Sequence, residues 1–146
     1  MRIAIASDHA AVALRNELGQ GMTRAGHTVT DLGCVAGERV DYPDFARKVV
    51  NAVLSGAADR GVLVCGTGIG MSIAANKIDG IRAALVHDVT TAALAAQHNN
   101  ANILCLGGRV LGPIVAAACL DTWLTTPFEA RHQARLDKIT ALEEGA

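Results

Sequence analysis

Residues 61–72, Gly-Val-Leu-Val-Cys-Gly-Thr-Gly-Ile-Gly-Met-Ser, decide the fold. Gly61 to Cys65 is a short run without polar alternation, the pattern of a strand covered on both faces. Gly66, Gly68 and Gly70 then recur at every second position and turn the chain. Met71 to Lys77 returns to helix-forming residues. The stretch is a strand, a glycine loop and a short helix in succession.

Elsewhere along the chain, strand-length apolar runs alternate with longer helical patterns. Arg2–Ser7, His27–Leu32, Arg82–Val86 and Asn102–Leu106 are further strand-length runs. Ala10–Ala25 reads as a helix with Val12, Leu14, Leu18 and Met22 inward, weakened by Gly19 and Gly21. Tyr42–Leu54 reads as a second, with Asp41 as N-cap and Pro43 in its first turn. Val89–Gln97, Pro113–Leu124 and Glu129–Glu143 complete the set, and Gly33–Asp41 is loop. Apolar strands alternating with helices imply right-handed crossovers and a parallel sheet. The expected fold class is α/β, a three-layer α/β/α sandwich with a five-stranded parallel Rossmann-like sheet. The strand order is not legible in the pattern.

Composition bounds the rest. A chain of 146 residues suits one domain, and 51% hydrophobic residues with only 3% aromatics means that small aliphatic side chains fill the core. That surplus of apolar surface points to an oligomer. The net charge is −1 with no basic stripe, which argues against nucleic acid as a partner. No run approaches the roughly 18 apolar residues of a membrane span, and the first residues lack a signal-peptide pattern. A cytoplasmic protein is expected, with Cys34, Cys65, Cys105 and Cys119 as free thiols. None of the four has the spacing of a metal site, so no metal and no cofactor are expected.

Open parallel sheets bind ligands at the carboxyl ends of their strands. There the sequence places Ser7-Asp8-His9, the Cys65–Ser72 loop, His87-Asp88 and Gly107-Gly108-Arg109. Alternating glycines let amide N–H groups converge on an anion, although a tight turn alone also needs glycine. The loop lacks the Gly-Lys-Ser/Thr ending of a nucleotide-binding P-loop, and no arginine closes it as in a cysteine phosphatase. Cys65, last in its strand and next to those amides, suits a general base or nucleophile. Cys105 and Cys119 read as buried and inert. His98-Asn99 precedes the fifth strand and so lies at the amino edge, a strand length of roughly 17 Å from Cys65. His98 is either a structural residue at a helix end or serves a neighbouring subunit's pocket. Arg131 and Arg135, four apart on the last helix, share a face that suits a phosphate or simply solvent. Tyr42, by itself, reads as a packing residue.

Taken together, SDHA (7–10), GERVDYPDFA (37–46), CGTGIGMSIAANK (65–77), GIRAALVHD (80–88), QHNNANIL (97–104), GGRV (107–110) and RHQAR (131–135) resemble the type B ribose-5-phosphate isomerases. That family also includes galactose-6-phosphate isomerase subunits and allose-6-phosphate isomerase, and the likeness runs end to end. It implies one sugar-phosphate isomerase domain over 1–146, forming a homodimer or dimer of dimers with shared active sites. The C-terminal helix, about 129–143, would pack on the partner. The implied reaction interconverts D-ribose 5-phosphate and D-ribulose 5-phosphate through an enediolate. Carried over, Cys65 is the base, Thr67 assists it, and His98 of the partner opens the sugar ring. Gly66, Gly68, Ile69 and Gly70 hold the enediolate oxygen, with Tyr42 beside the substrate. Asp8 binds sugar hydroxyls, Asn99 the sugar end, and His9, Arg109, Arg131 and Arg135 the phosphate. Two departures stand out: Glu129-Ala130 where many members have Gly-Gly before Arg-His, and Ala74-Ala75 where some carry a glutamate base and lack the cysteine. The alternatives are a hexose-6-phosphate (allose 6-phosphate) isomerase and a non-catalytic sugar-phosphate binding protein. Loss of Cys65 or His98 would favour the last, and both are present.

Overall fold

The computed structural model describes residues 1–145. In chain order the elements are β1 (Arg2–Ser7), α1 (Val12–Arg24), β2 (Thr28–Asp31), α2 (Tyr42–Leu54), β3 (Arg60–Cys65), α3 (Ile69–Ala75), β4 (Ala83–Leu85), α4 (Val89–Gln97), β5 (Ile103–Gly107), α5 (Pro113–Thr125), a 3₁₀ turn (Ala130–His132) and α6 (Gln133–Glu143). The sheet runs β2-β1-β3-β5-β4, and every neighbouring pair is parallel. The expected α/β/α sandwich is thus present, with an order that the sequence pattern left open.

Alternating side chains feed two cores. Ile3, Ile5, Val62, Val64, Leu104 and Leu106 face α1, α4 and α5, where Leu18, Ala96 and Trp123 are buried. Ala4, Ala6, Leu63, Ile103 and Cys105 face α2 and α3, where Val49, Val50 and Met71 are buried. Each large apolar side chain buried this way contributes about 1.5–3 kcal/mol. Gly61 is glycine because α2 lies close: a Cβ there would sit 2.5 Å from Val49 Cγ1.

The register brings the strand ends level. Ser7 lies opposite Val64, and Cys65 opposite Gly107. Helices α1 and α3, which follow the adjacent strands β1 and β3, lie on opposite faces. That divergence opens a crevice at the carboxyl edge.

Some expectations change. Asp41 occupies the N-cap of α2 but makes no side-chain cap bond, whereas Asp88 caps α4 by accepting from the Thr91 amide at 2.8 Å. The segment from Glu129 does not form one continuous helix: a 3₁₀ turn through Arg131 and His132 precedes α6. Arg131 and Arg135 therefore do not lie on one α-helical face. On α1, Val12 is half-buried, and Arg15 is buried instead with Leu14, Leu18 and Met22. Among the described residues, no helix is long and apolar enough to cross a membrane.

Candidate active site

The candidate residues fall into two clusters at opposite edges of the sheet. At the carboxyl edge the Cys65 sulfur accepts the Gly68 N–H at 3.1 Å, and the Thr67 hydroxyl oxygen accepts the Ile69 N–H at 3.2 Å. Gly68 has φ +79°, and a Cβ there would lie 2.6 Å from Leu85 Cδ1 and 2.9 Å from the Leu106 carbonyl carbon. Only glycine satisfies both the left-handed backbone and the close approach. Over Gly70 lies the Tyr42 ring, whose Cζ would be 2.7 Å from a Cβ at that position. Tyr42 thus covers the loop rather than packing in the core. The Gly108 amide donates to the Cys65 carbonyl at 2.8 Å and the Arg109 amide to Gly66 at 2.9 Å. These bonds bring the Arg109 side chain over Gly66, with Nη1 3.3 Å from a Cβ there.

Asp8 and His9 complete this edge. Asp8 is buried, and its Oδ1 accepts the Ala10 N–H at 3.0 Å. His9 is exposed; its Nδ1 meets the Val40 backbone, 3.2 Å from the carbonyl and 3.3 Å from the amide. The other thiols differ from Cys65 in setting. Burial, with Cys65 nearby, pushes the Cys105 thiol well up, and burial followed by the Asp88 charge raises Cys119. Both stay protonated, as expected for inert cysteines.

At the amino edge His98 is the C-cap of α4. With Asn99, Arg131, His132, Arg135, Leu136 and Ile139 it lines a cavity of about 320 Å³. The His98 and His132 rings lie 4.2 Å apart and tilted by 36°. Arg135 Nη1 donates to His132 Nδ1 at 2.7 Å. Arginine has no lone pair to offer, so Nδ1 is the acceptor and the neutral ring carries its proton on Nε2. That Nε2 is buried without a hydrogen-bond partner, 3.6 Å from Glu129 Oε2. Burial first, then the Arg131, His98 and Arg135 charges, hold the His132 pKa below its ordinary value. Glu129 accepts from Arg131 Nε at 2.6 Å and from Gln97, and Arg131 holds its carboxyl low.

The fold therefore unites Asp8, His9, Tyr42, Cys65, Gly66, Thr67, Gly68, Ile69, Gly70 and Arg109, and separately His98, Asn99, Arg131 and Arg135. His98 and Cys65 stay at opposite ends of β5, since Cys65 pairs with Gly107 whereas His98 lies four residues before Asn102, which precedes β5. Sequence reasoning singled out neither Glu129 nor His132 as a candidate; the spacing of three from Glu129 through His132 to Arg135 is the signal that could have found them. His98, Glu129 and His132 also offer ligand-type atoms within 4.8 Å of one another, which no spacing in the sequence announced. Their bonding does not leave them free for a cation. Arg131 occupies the carboxylate, and Arg135 puts the His132 proton on the nitrogen that a metal would need.

Three comparisons carry this geometry to a family. The family described as Ribose/Galactose Isomerase matches residues 3–139. Ribose-5-phosphate isomerase B of Escherichia coli is 43% identical over 144 residues, 98% of this chain and 97% of that one. D-erythrulose-4-phosphate isomerase of Pectobacterium atrosepticum is 43% identical over 141 residues, 95% and 93% of the two chains. The solved ribose-5-phosphate isomerase B of Clostridium thermocellum superimposes with a TM-score of 0.97 at 46% identity, covering 99% of both chains. With its sheet order, its glycine loop behind Cys65 and these matches over nearly its whole length, the chain belongs to the ribose/galactose isomerase family and is an isomerase.

Proposed function

We propose that the protein interconverts D-ribose 5-phosphate and D-ribulose 5-phosphate in pockets shared by two copies of the chain. The observation that carries this reading is the separation of the two clusters. The thiol and its amide cradle lie at one edge, and the histidine–arginine cavity lies at the other. Neither holds a complete aldose–ketose machinery. Placed face to face across a two-fold axis, each edge of one copy completes the other's. Helix α6 supports this arrangement. It buries only Leu136 and leaves Ile139 and Leu142 exposed, apolar surface for the partner to cover. A homodimer is the smallest assembly that satisfies the geometry, and a dimer of dimers keeps it.

The chemistry follows from the residues. His98 of the partner moves a proton between the ring oxygen and the C1 hydroxyl, which opens the sugar. Cys65, as thiolate, takes the proton from C2 and returns it to C1, while the proton of the C2 hydroxyl passes to the oxygen on C1, leaving the carbonyl at C2. Between these steps the oxygen on C1 carries the enediolate charge, and amides of the Gly66–Gly70 loop stabilise it. Thr67 assists Cys65, Asp8 holds hydroxyls, and Asn99 meets the sugar end. Tyr42 closes over the loop. His9 and Arg109 from one copy and Arg131 and Arg135 from the other bind the phosphate. The proton leaves one carbon and arrives at the next, so no redox partner is consumed. A positioned base contributes typically about 10²–10⁴-fold in such a step.

The likeness to a D-erythrulose-4-phosphate isomerase favours a second reading, a shorter sugar on the same machinery. One assay decides: purified protein, rates on four-, five- and six-carbon aldose phosphates, allose 6-phosphate included. The proposal expects the highest kcat/KM on ribose 5-phosphate. A higher value on another length assigns the substrate differently, and no turnover on any member contradicts an isomerase of these sugars.

A further inference from the structure

Helix α1 carries a buried charge that the reaction described above does not use. Arg15 is only 6% exposed. Its Nη1 donates to the Ser7 hydroxyl at 3.1 Å and to the Cys34 carbonyl at 2.8 Å, and Nη2 donates to Asn16 Oδ1 at 3.2 Å. The charge partner is Asp31, with Oδ2 3.1 Å from Nε, but that nitrogen makes no hydrogen bond and the carboxylate is half-exposed. A buried guanidinium with one screened partner and one unsatisfied donor is a poor source of stability. An apolar side chain of similar size would fill the same space at lower cost. Its value lies in what it ties together.

Both groups held by Nη1 lead to His9. Ser7 directly precedes Asp8 and His9 in the chain. Cys34 opens the segment whose far end, Val40, meets His9 Nδ1 at 3.2 Å. Arg15 therefore clamps the closure of a ring that runs from Ser7 through His9 to Val40 and back along 34–40, where the backbone alone supplies a long bond of 3.4 Å from the Cys34 amide to the Ser7 carbonyl. The surrounding chain is shaped to admit it. A Cβ on Gly33 would lie 1.9 Å from Nη1 and 2.5 Å from Cζ, so any larger residue at 33 displaces the guanidinium. Asp31 fixes the same turn by accepting the Gly33 N–H at 2.8 Å.

We infer that Arg15 is a positioning residue: a buried staple that holds Asp8 and His9 in their substrate-binding geometry without touching substrate. The inference rests on the proposed roles of those two residues. Because neither moves the C2 proton, loosening the staple weakens binding and leaves the chemical step alone.

The test uses three variants of the full chain, Arg15→Lys, Arg15→Met and Gly33→Ala. Lysine keeps a donor for Ser7 and Cys34, methionine keeps the bulk and no donor, and alanine at 33 keeps Arg15 but drives its head away. KM and kcat on ribose 5-phosphate, the dissociation constant for inorganic phosphate, and the melting temperature are measured for each. The expected result is a KM raised about tenfold in Arg15→Met and Gly33→Ala, the effect of a binding contact of ordinary strength lost, with kcat within about threefold. The phosphate constant rises in parallel, and Arg15→Lys stays near wild type in both. A lowered melting temperature with KM and the phosphate constant unchanged overturns the inference, since Arg15 is then a core residue only. So does a fall in kcat at constant KM. If Arg15→Met fails to fold, Gly33→Ala decides by the same criteria. Should the wild type not turn over ribose 5-phosphate, the functional reading fails. The ranking of phosphate constants still tests the staple.

Discussion

Gly68→Ala probes the loop at the point where backbone geometry and chemistry meet. The substitution imposes a Cβ on a residue at φ +79°, which costs about 1–2 kcal/mol in the left-handed region. The same Cβ would lie 2.9 Å from the Leu106 carbonyl carbon and 2.6 Å from Leu85 Cδ1. Leu85 can yield, but the Leu106 carbonyl carbon is backbone of β5 and is held by the sheet, so the loop has to move away from that strand. Relieving that contact adds about 1–2 kcal/mol, the cost of overpacking in a rigid core. A total of about 2–4 kcal/mol lowers Tm by about 4–16 °C for a domain of this size. The shift also carries the Gly68 amide off the Cys65 sulfur, now 3.1 Å away. kcat should fall by about 10²–10³-fold, the loss seen when one oxyanion donor is removed. Gly70→Ala is the control. There the Cβ meets the Tyr42 ring, a half-open side chain that can swing out, so stability should change by less than about 1 kcal/mol while binding weakens. Thermal melts and steady-state kinetics on both variants check the reasoning. Gly68→Ala with a wild-type Tm and kcat would refute it.

Cys65→Ala should abolish turnover while sugar-phosphate binding persists, as read by calorimetry with ribose 5-phosphate; a near-normal rate removes Cys65 from the mechanism. Cys105→Ala, in a site with no exposure, should instead cost about 1–2 kcal/mol of stability and leave kcat intact. Turnover should survive exhaustive EDTA treatment, because the proposed proton transfer by Cys65 and charge stabilisation by amides need no cation; loss restored by a divalent ion would contradict this. His132 also has a pH signature. Its folded pKa lies below the ordinary 6.5, so its contribution to stability is present above that value and is lost as pH falls below 6.5 through the folded pKa. His132→Asn should flatten the chemical-denaturation midpoint over that acid window, and an unchanged pH profile would show that His132 is not held neutral.

How much of this was legible in the sequence differs by element. The strands were, because runs such as Gly61–Cys65 and Asn102–Leu106 are apolar on both faces and bounded by glycine or polar residues. The limits of α2 followed from Asp41 at the N-cap position and Pro43 in the first turn. Strand order was not, since it depends on which crossovers pass over which neighbours, and short apolar runs carry no label for their partner. The break at Ala130–His132 was hidden because its residues all have helical propensity; the bonds of Glu129 to Gln97 and Arg131 fix the turn, and these are tertiary or side-chain contacts. Arg15 was unreadable for a similar reason. A charged residue beside Leu14 looks solvent-facing until the Ser7 and Cys34 acceptors are brought to it by the sheet. Of the site, the glycine loop and Cys65 were legible as local chemistry. The separation of His98 from Cys65 was legible as geometry, because the two stand at opposite ends of strands in one parallel sheet.

The shared pocket is tested most directly by complementation. Cys65→Ala and His98→Ala proteins are purified separately, each inactive, then mixed under conditions of subunit exchange that mass spectrometry of differently tagged chains verifies. In a random mixture about half the dimers are mixed, and each mixed dimer holds one pocket with both residues intact and one with neither. Recovery of about one quarter of wild-type activity is expected at equal chain concentration. Exchange without any return of activity would place Cys65 and His98 in the same pocket of one chain, or His98 outside the reaction, and would contradict the account.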